Sequence, residues 1–364
     1  MDKAGGFLYR IHVDGSLMAG LMVTCLLGLV VLYSASDQSG EVVVRQAIRM
    51  TAGFCTMLVI AQVSPQQLAR FVPMIYVVGL FLLVMVLVFG TGRGAQRWLD
   101  LGLFRFQPSE LMKLAVPLTV ATILSRKSLP PSLPVIIIAI FLVVIPSVLI
   151  FRQPDLGTAI LVASSGLFVL FFAGTSWKLI GGSTVLAFVT APVVWLALRD
   201  YQRGRILTLF NPERDPLGAG YHIIQSRIAV GSGGIEGKGW LNGTQSHLEF
   251  LPERATDFIF AVYCEEFGFI GVVILLLAYT LLITRGIKIS IEAQDTFGRL
   301  VGASLTLTFF LYVFVNMGMV IGQLPVVGVP LPLVSYGGTS LVTILTAFGV
   351  LMSIQTHRRL NAET

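Results

Sequence analysis

Apolar runs close to 20 residues long recur along this chain from Leu17 to Ile354, and no other feature restricts its fold as sharply. As a helix rising about 1.5 Å per residue, each run can cross a hydrocarbon core of about 30 Å. Charge is correspondingly sparse. Only 12% of the 364 residues are Asp, Glu, Lys or Arg, and mean hydropathy is +0.84, against about 25% charge in a soluble domain. Open sheets are excluded, because an unpaired strand edge cannot be satisfied in lipid. The chain therefore reads as an all-α, polytopic integral membrane protein, with residues 1–364 forming a single transmembrane domain.

Ten spans are expected, at about 15–34, 44–63, 72–89, 109–125, 132–150, 157–173, 178–198, 256–284, 300–322 and 338–355. The first follows Lys3 and Arg10 and exceeds a signal-peptide core, so it reads as uncleaved. An even number puts both termini on one side. Short basic segments mark that side as cytoplasmic: Lys3, Arg10, Arg70, Arg126, Lys127, Lys178, Arg285, Lys288, Arg299, Arg358 and Arg359. The raw Lys/Arg count does not favour this orientation. It does once the long segments 90–108 and 199–255 are set aside, leaving Arg45, Arg49 and Arg152 in the other outer loops. The outer side then carries those two segments, FRQPDLGT (151–158) and PVVGVPLPLVSYGG (325–338). Loops lying over a rigid scaffold are where binding and chemistry concentrate.

Charges gather at the mouths of the outer helices. Ser109 reads as an N-cap, placing Glu110 in a first turn where the helix dipole favours an anion. Lys113 follows on the same face, so a Glu110–Lys113 pair is available, either as a structural ion pair or as the lining of a polar cavity. Arg97-Trp98 suits an interfacial belt or a site. Asp155, after Arg152 and Gln153, suits an N-cap or a site. Glu41, Arg45 and Arg49 form one charged stripe. The stretch GSGGIEGKGW (231–240) fails as a phosphate loop, since Gly239 follows Lys238, and reads as a flexible surface loop. Cys25, Cys55 and Cys264 lie in apolar segments without a CxxC partner and read as small apolar side chains. The scattered His12, His222, His247 and His357 argue against a histidine metal site.

One stretch concentrates the question: LEFLPERATDFIFAVYCEEFGFIGVVILLLAY, from Leu248 to Tyr279. With a span starting near Thr256, Asp257 lies in its first turn, and Asp257, Ala261 and Glu265 share a face. The two carboxylates are then about 12 Å apart along the axis. Asp257 is either a helix-end acid balanced by Arg254 or a base at the lip of a cavity. Partial burial would raise its pKa, and Arg254 would oppose that.

At these residues the chain resembles the SEDS family of polytopic glycosyltransferases. GAQRWLDLG (94–102), FQPSELMKLA (106–115), QPDLGTA (153–159), GAGYHIIQS (218–226), LEFLPERATDFIFAVYCEE (248–266) and LPLVSYGGTS (331–340) stand in family order and spacing across nearly the whole chain. LPVVGVPLPLVSYGG points to the elongation branch rather than the division branch. The resemblance implies a ten-span fold that polymerises lipid II, a lipid-linked disaccharide–peptide, into peptidoglycan strands for cell elongation and rod shape. It makes Asp257 the essential acid, the catalytic general base for the acceptor hydroxyl. The matching motifs offer Arg97, Trp98, Gln107, Glu110, Lys113, Gln153, Asp155 and Arg254 as substrate-binding residues, with Arg97, Lys113 and Arg254 meeting the departing pyrophosphate. A divalent cation (Mg2+ or Mn2+) is compatible with such a site, its ligands open; no organic cofactor is expected. Expected partners are a class B penicillin-binding protein transpeptidase and other membrane proteins of the elongation complex, with no nucleic acid. The expected location is the bacterial cytoplasmic (inner) membrane, with the active site facing the periplasm. A lipid II flippase and a non-enzymatic scaffold are the alternatives. The short inner loops lack paired acids, which disfavours the flippase. Ala255 stands where many members carry His, so a histidine there is not required, and Tyr263-Cys264 replaces a commoner aliphatic pair.

Overall fold

The structure, a computed structural model, describes residues 12–91, 97–100, 102, 105–198, 200–214, 218–244 and 253–357. Lys3, Arg10, Arg93, His247, Arg358 and Arg359 lie outside the described residues. A long helix stands at each expected span: α1 (Gly15–Ala35), α2 (Gly40–Ala61), α3 (Pro65–Phe89), α4 (Pro108–Ser125), α5 (Leu133–Arg152), α6 (Leu156–Phe172), α7 (Trp177–Ala197), α10 (Ile259–Glu292), α11 (Thr296–Val320) and α12 (Thr339–Thr356). Seven of them are long and apolar enough to cross a membrane by themselves. The chain is a multi-pass membrane protein.

Polar caps set the helix starts. Asp14 accepts from Leu17 N (2.9 Å) to open α1 and is ion-paired with Arg285 of α10. Ser64 and Gln67 form a reciprocal capping box at α3, with Pro65 at the first helical position. Gln107, not Ser109, is the N-cap of α4, because Pro108 already adopts the helical conformation. α4, α11 and α12 form the interior of the bundle. Outward faces are apolar and face lipid: Ile48, Phe81, Val88, Phe141 and Leu281 are each more than half exposed. Where α2 meets α12, a Cβ on Gly349 would stand 2.6 Å from the Met57 carbonyl oxygen, the close approach that small residues permit in membranes.

Among the described residues, the segment expected as one long loop at 199–255 contains the helices α8 (Asp200–Phe210) and α9 (Ala219–Ser232), with a 3-10 turn at Pro212–Arg214 between them. α9 packs on α10, and its Ser226 Oγ donates to Val320 O (2.8 Å) at the end of α11. A minimal antiparallel hairpin, β1 (Leu99–Asp100) with β2 (Arg105–Phe106), is a small exception to an all-helical chain.

α10 also departs from expectation. It begins at Ile259, leaving Asp257 in the turn before it, and it is interrupted at Gly268 (φ 60°, ψ −161°). Into the interruption fits the glycine-rich stretch. Lys238 and Gly239 donate their N–H groups to the carbonyls of Glu265 (2.9 Å) and Glu266 (3.0 Å). The N–H groups of Phe269 and Ile270 donate to Gly234 O (2.9 Å) and Ile235 O (3.1 Å). Broken helix backbone is tolerated in a membrane protein only where other protein groups satisfy it, and residues 233–240 do so. A Cβ on Gly268 would lie 2.6 Å from Ile235 O. The stretch is therefore a structural plug, correcting its reading as a flexible surface loop.

Candidate active site

Asp257 sits in a turn that is stapled to the 325–338 segment. Ser335 Oγ donates to Thr256 O (2.6 Å), and Tyr336 N donates to Ala255 O (2.8 Å). The Asn316 amide of α11 donates both to Asp257 O (2.9 Å) and to Val329 O (2.7 Å). Gln46 of α2 holds the far end of the segment, donating to Ser335 O (3.2 Å) and accepting from Gly337 N (3.3 Å). The Asp257 carboxylate rests against Gly328, where a Cβ would come within 3.4 Å of its Oδ2.

Gly328 is also a wall of a polar cavity of about 220 Å³. Six of the expected site residues line it: Arg97 and Trp98 just before the hairpin, Gln107 at the N-cap of α4 with Glu110 and Lys113 inside it, and Asp155 at the N-cap of α6. Their charges are matched. Lys113 Nζ lies 2.6 Å from Glu110 Oε1, both nearly fully buried, and 5.1 Å from the centre of the Tyr312 ring. The Arg97 guanidinium faces the Gln153–Asp155 turn. Its Nε donates to Gln153 O (3.4 Å), Nη2 donates to Pro154 O, and Nη1 is 3.9 Å from Asp155 Oδ1. Asp155 caps α6 by accepting from Thr158 N (3.2 Å) and also accepts from Gln107 Nε2 (3.2 Å). The two readings of Asp155, cap and cavity wall, thus coexist.

Gln153 and Arg254 do not line the cavity. Gln153 Nε2 donates to Leu83 O (2.9 Å), tying the turn to α3. Arg254 is ion-paired with Asp37 in the α1–α2 turn and so does not balance Asp257, correcting the local-pair reading. A partner 217 positions away wins because the fold brings the α1–α2 turn beneath residues 253–258. Nor do Asp257 and Glu265 share a functional face. Glu265 is fully buried and pairs with Lys238 (2.7 Å) and Thr244 (3.1 Å), while Glu266 accepts from Ser34 Oγ.

Burial raises the Asp257 pKa from its ordinary 3.8 to about 7, and the negative charge of Glu253 adds to the rise. Arg205 and Arg97 oppose it, and Asp155 contributes a further small rise. An acid so poised is half ionised near neutral pH and suits general-base work. Sequence reasoning missed Arg205, Tyr312, Asn316, Ser335 and Gln46. Arg205 and Ser335 lay in outer segments already marked for attention, while Asn316 and Gln46 are lone polar residues within spans, a general sign of function or packing.

Among the described residues no three His, Cys, Asp or Glu side chains cluster as metal ligands. Both Asp155 oxygens are engaged by protein N–H groups. The Glu110 and Asp155 carboxylates of this cavity do not by themselves form a metal cage.

Sequence and structure comparisons show the family to which the chain belongs. The family described as cell cycle protein, FtsW/RodA/SpoVE, matches residues 15–360. The chain is 53% identical over 356 residues to the peptidoglycan glycosyltransferase MrdB of Escherichia coli K12, covering 97% of this chain and 96% of that one. It is 36% identical to stage V sporulation protein E of Bacillus subtilis, over 93% and 96% of the two chains. Among solved structures, a chain of a peptidoglycan synthase complex that coordinates polymerization and crosslinking superposes with a TM-score of 0.82 at 32% identity, covering 94% and 97%. The rod shape determining protein RodA of Thermus thermophilus superposes at 0.71 with 28% identity, covering 94% and 96%. With the family matched from the first membrane helix to beyond the last, this chain belongs to the FtsW/RodA/SpoVE family, the SEDS proteins.

Proposed function

We infer that this chain is a peptidoglycan glycosyltransferase that polymerises lipid II by an inverting transfer, with Asp257 as the general base. The observation that carries this reading is the raised pKa and partial burial of Asp257 beside a polar cavity, in a chain half identical to an E. coli peptidoglycan glycosyltransferase. The donor's leaving group is an isoprenoid pyrophosphate, already weakly basic, so no general acid is needed. What the protein must supply is a base for the acceptor hydroxyl and a fixed geometry. Asp257 takes the proton, the hydroxyl oxygen attacks the anomeric carbon, and the pyrophosphate leaves from the opposite face. The turn carrying Asp257 is held at Ala255, Thr256 and its own carbonyl, which limits the carboxylate's motion.

A divalent cation, where it takes part, would enter with the pyrophosphate, since Mg2+ is commonly held by one or two carboxylates plus substrate phosphates. The basic inner segments support cytoplasmic termini and a site facing the periplasm. A class B transpeptidase is the natural partner, because a structural relative belongs to a complex that couples polymerization to crosslinking. Polymer formation by purified protein with added lipid II tests the reading. Wild type should make glycan strands and Asp257→Asn should not. Normal polymerisation by Asp257→Asn would remove the base assignment, and transbilayer movement of lipid II without polymer would favour a flippase.

A further inference from the structure

α7 stands apart from the bundle. Among the described residues it is the one long helix that packs extensively against no other. Between it, the start of α5 and the end of α6 lies an apolar groove of about 680 Å³, walled by Leu133, Ile137, Leu167 and Phe171 and reaching Leu307 of α11. All four wall residues are exposed, so the groove opens to the surroundings of the bundle. A second apolar groove of about 500 Å³, between α10 and α11, shares Leu307 and includes Phe172, so the two adjoin. Both lie at the end of the bundle opposite Asp155, because α6 runs from Asp155 to Phe172. Leu307 is eleven residues into α11, hence about 16 Å from that end and half-way through a hydrocarbon core of about 30 Å. The grooves therefore have the depth of one lipid leaflet. A void there would forfeit packing contacts, and water would find no polar partners. Acyl chains meet neither penalty.

The mouth of the first groove is basic. Lys178 lines it, and the hydroxyl of its other polar residue, Thr175, is spent on Leu170 O (2.6 Å). Arg126, the C-cap of α4, and Lys127 stand on the connection that meets this mouth, since a Cβ on Gly174 would lie 3.6 Å from Pro130 Cβ. All three cations are exposed, and none is ion-paired among the described residues. From Lys113 to Arg199 the one acid is Asp155, at the far end of α6. In the neighbouring α10–α11 turn, Glu292 lies 3.9 Å from Lys288 and Asp295 caps α11. Trp177 is exposed beside Lys178 and meets Phe171 edge-on at 6.0 Å, which suits the headgroup level where indoles concentrate. Cations above an apolar groove match an anionic headgroup above acyl chains. A partner's apolar helix would fill the groove and leave the cations unmatched.

We propose that one anionic phospholipid of the leaflet on that side sits between α7 and the ends of α5 and α6. Its phosphate lies at Lys178, Arg126 and Lys127, and its acyl chains fill the two adjoining grooves. The lipid supplies the packing that joins α7 to the bundle. This site is separate from the polar cavity and independent of the glycosyl-transfer reading.

Native mass spectrometry of the full chain tests the proposal, after delipidation and titration in detergent with dioleoyl phosphatidylglycerol or dioleoyl phosphatidylcholine. Wild type should hold phosphatidylglycerol about tenfold or more tightly than phosphatidylcholine, each basic residue contributing about fivefold. Lys178→Gln should weaken phosphatidylglycerol binding about fivefold and leave phosphatidylcholine within about twofold of wild type. Gly182 of α7 also lines the groove, and nothing lies within 4 Å of a Cβ added there. Gly182→Phe therefore fills the space without meeting the backbone, and it should weaken binding of both lipids. Equal binding of the two lipids by wild type, or phosphatidylglycerol binding unmoved by Lys178→Gln or by Gly182→Phe, would overturn the proposal. Complete displacement of phosphatidylglycerol by an equal concentration of undecaprenyl phosphate would overturn it as well, giving the groove to an isoprenoid chain.

Discussion

Asp257 and Glu265 stand eight residues apart at the entrance of one apolar helix, and the fold treats them in opposite ways. Glu265 is fully buried, held by Lys238 and Thr244, and belongs to the plug that mends the break in α10. Asp257 keeps partial exposure, has its backbone clamped from three sides, and bears a carboxyl whose proton is held until about pH 7. The lesson is that charge in a membrane helix carries no function by itself. A carboxylate whose partners satisfy it is architecture, and one whose backbone is fixed while its side chain remains available is a candidate for chemistry.

Substitution at the two acids tests that contrast most strongly. Asp257→Asn should lower polymerisation by about 10²–10⁴-fold, the usual reach of general-base catalysis, with little change in thermal unfolding. Glu265→Gln should do the reverse, keeping measurable turnover per folded molecule while lowering the unfolding temperature. Equal loss of turnover in both would erase the distinction.

The plug offers the next largest effect. Lys238→Met leaves Glu265 buried without its cation. Breaking a fully buried pair costs about 3–5 kcal/mol; here the loss should be smaller, because the Lys238 side chain is 27% exposed. Adding Glu265→Gln should recover most of it, as read by unfolding in detergent. Gly268→Ala should be at least as damaging as Lys238→Met, since the φ of 60° and the nearby Ile235 carbonyl leave no room for a methyl group.

The acid limb of the pH–rate profile sharpens the comparison further. A base must be ionised, so kcat/KM should be half-maximal near pH 7 and fall about tenfold per unit below it. Glu253 raises the Asp257 pKa, so Glu253→Gln should move the limb to lower pH. Arg205 lowers it, so Arg205→Met should move the limb to higher pH. Glu265→Gln should leave the limb in place. The smallest effect belongs to Arg45→Ala, whose pair with Glu41 is 52% and 76% exposed and contributes less than about 1 kcal/mol.

Local features of the site were legible in the sequence because their partners are near in the chain. Glu110 and Lys113 are one turn apart, and Asp155 is bonded to an N–H three residues on, so helix geometry alone brings them together. Arg254 shows the opposite case. Its neighbour Asp257 looked like its partner, yet its ion pair is with Asp37, and only the packing of the α1–α2 turn against residues 253–258 decides that. The glycines of 233–240 likewise carried no sign that they would fill a gap in another helix, because the break at Gly268 and the stretch that mends it are separate in the chain.

By itself the sequence determined the membrane class, the ten helices and the helix-mouth residues. In lipid each spanning segment must satisfy its own backbone, so a run of about 20 apolar residues declares a helix without reference to the rest of the chain. Tertiary structure alone decided which charges are spent on one another and which carboxylate remains available. Those outcomes depend on distances between segments far apart in the chain, and electrostatic energy in a low-dielectric interior changes steeply with such distances.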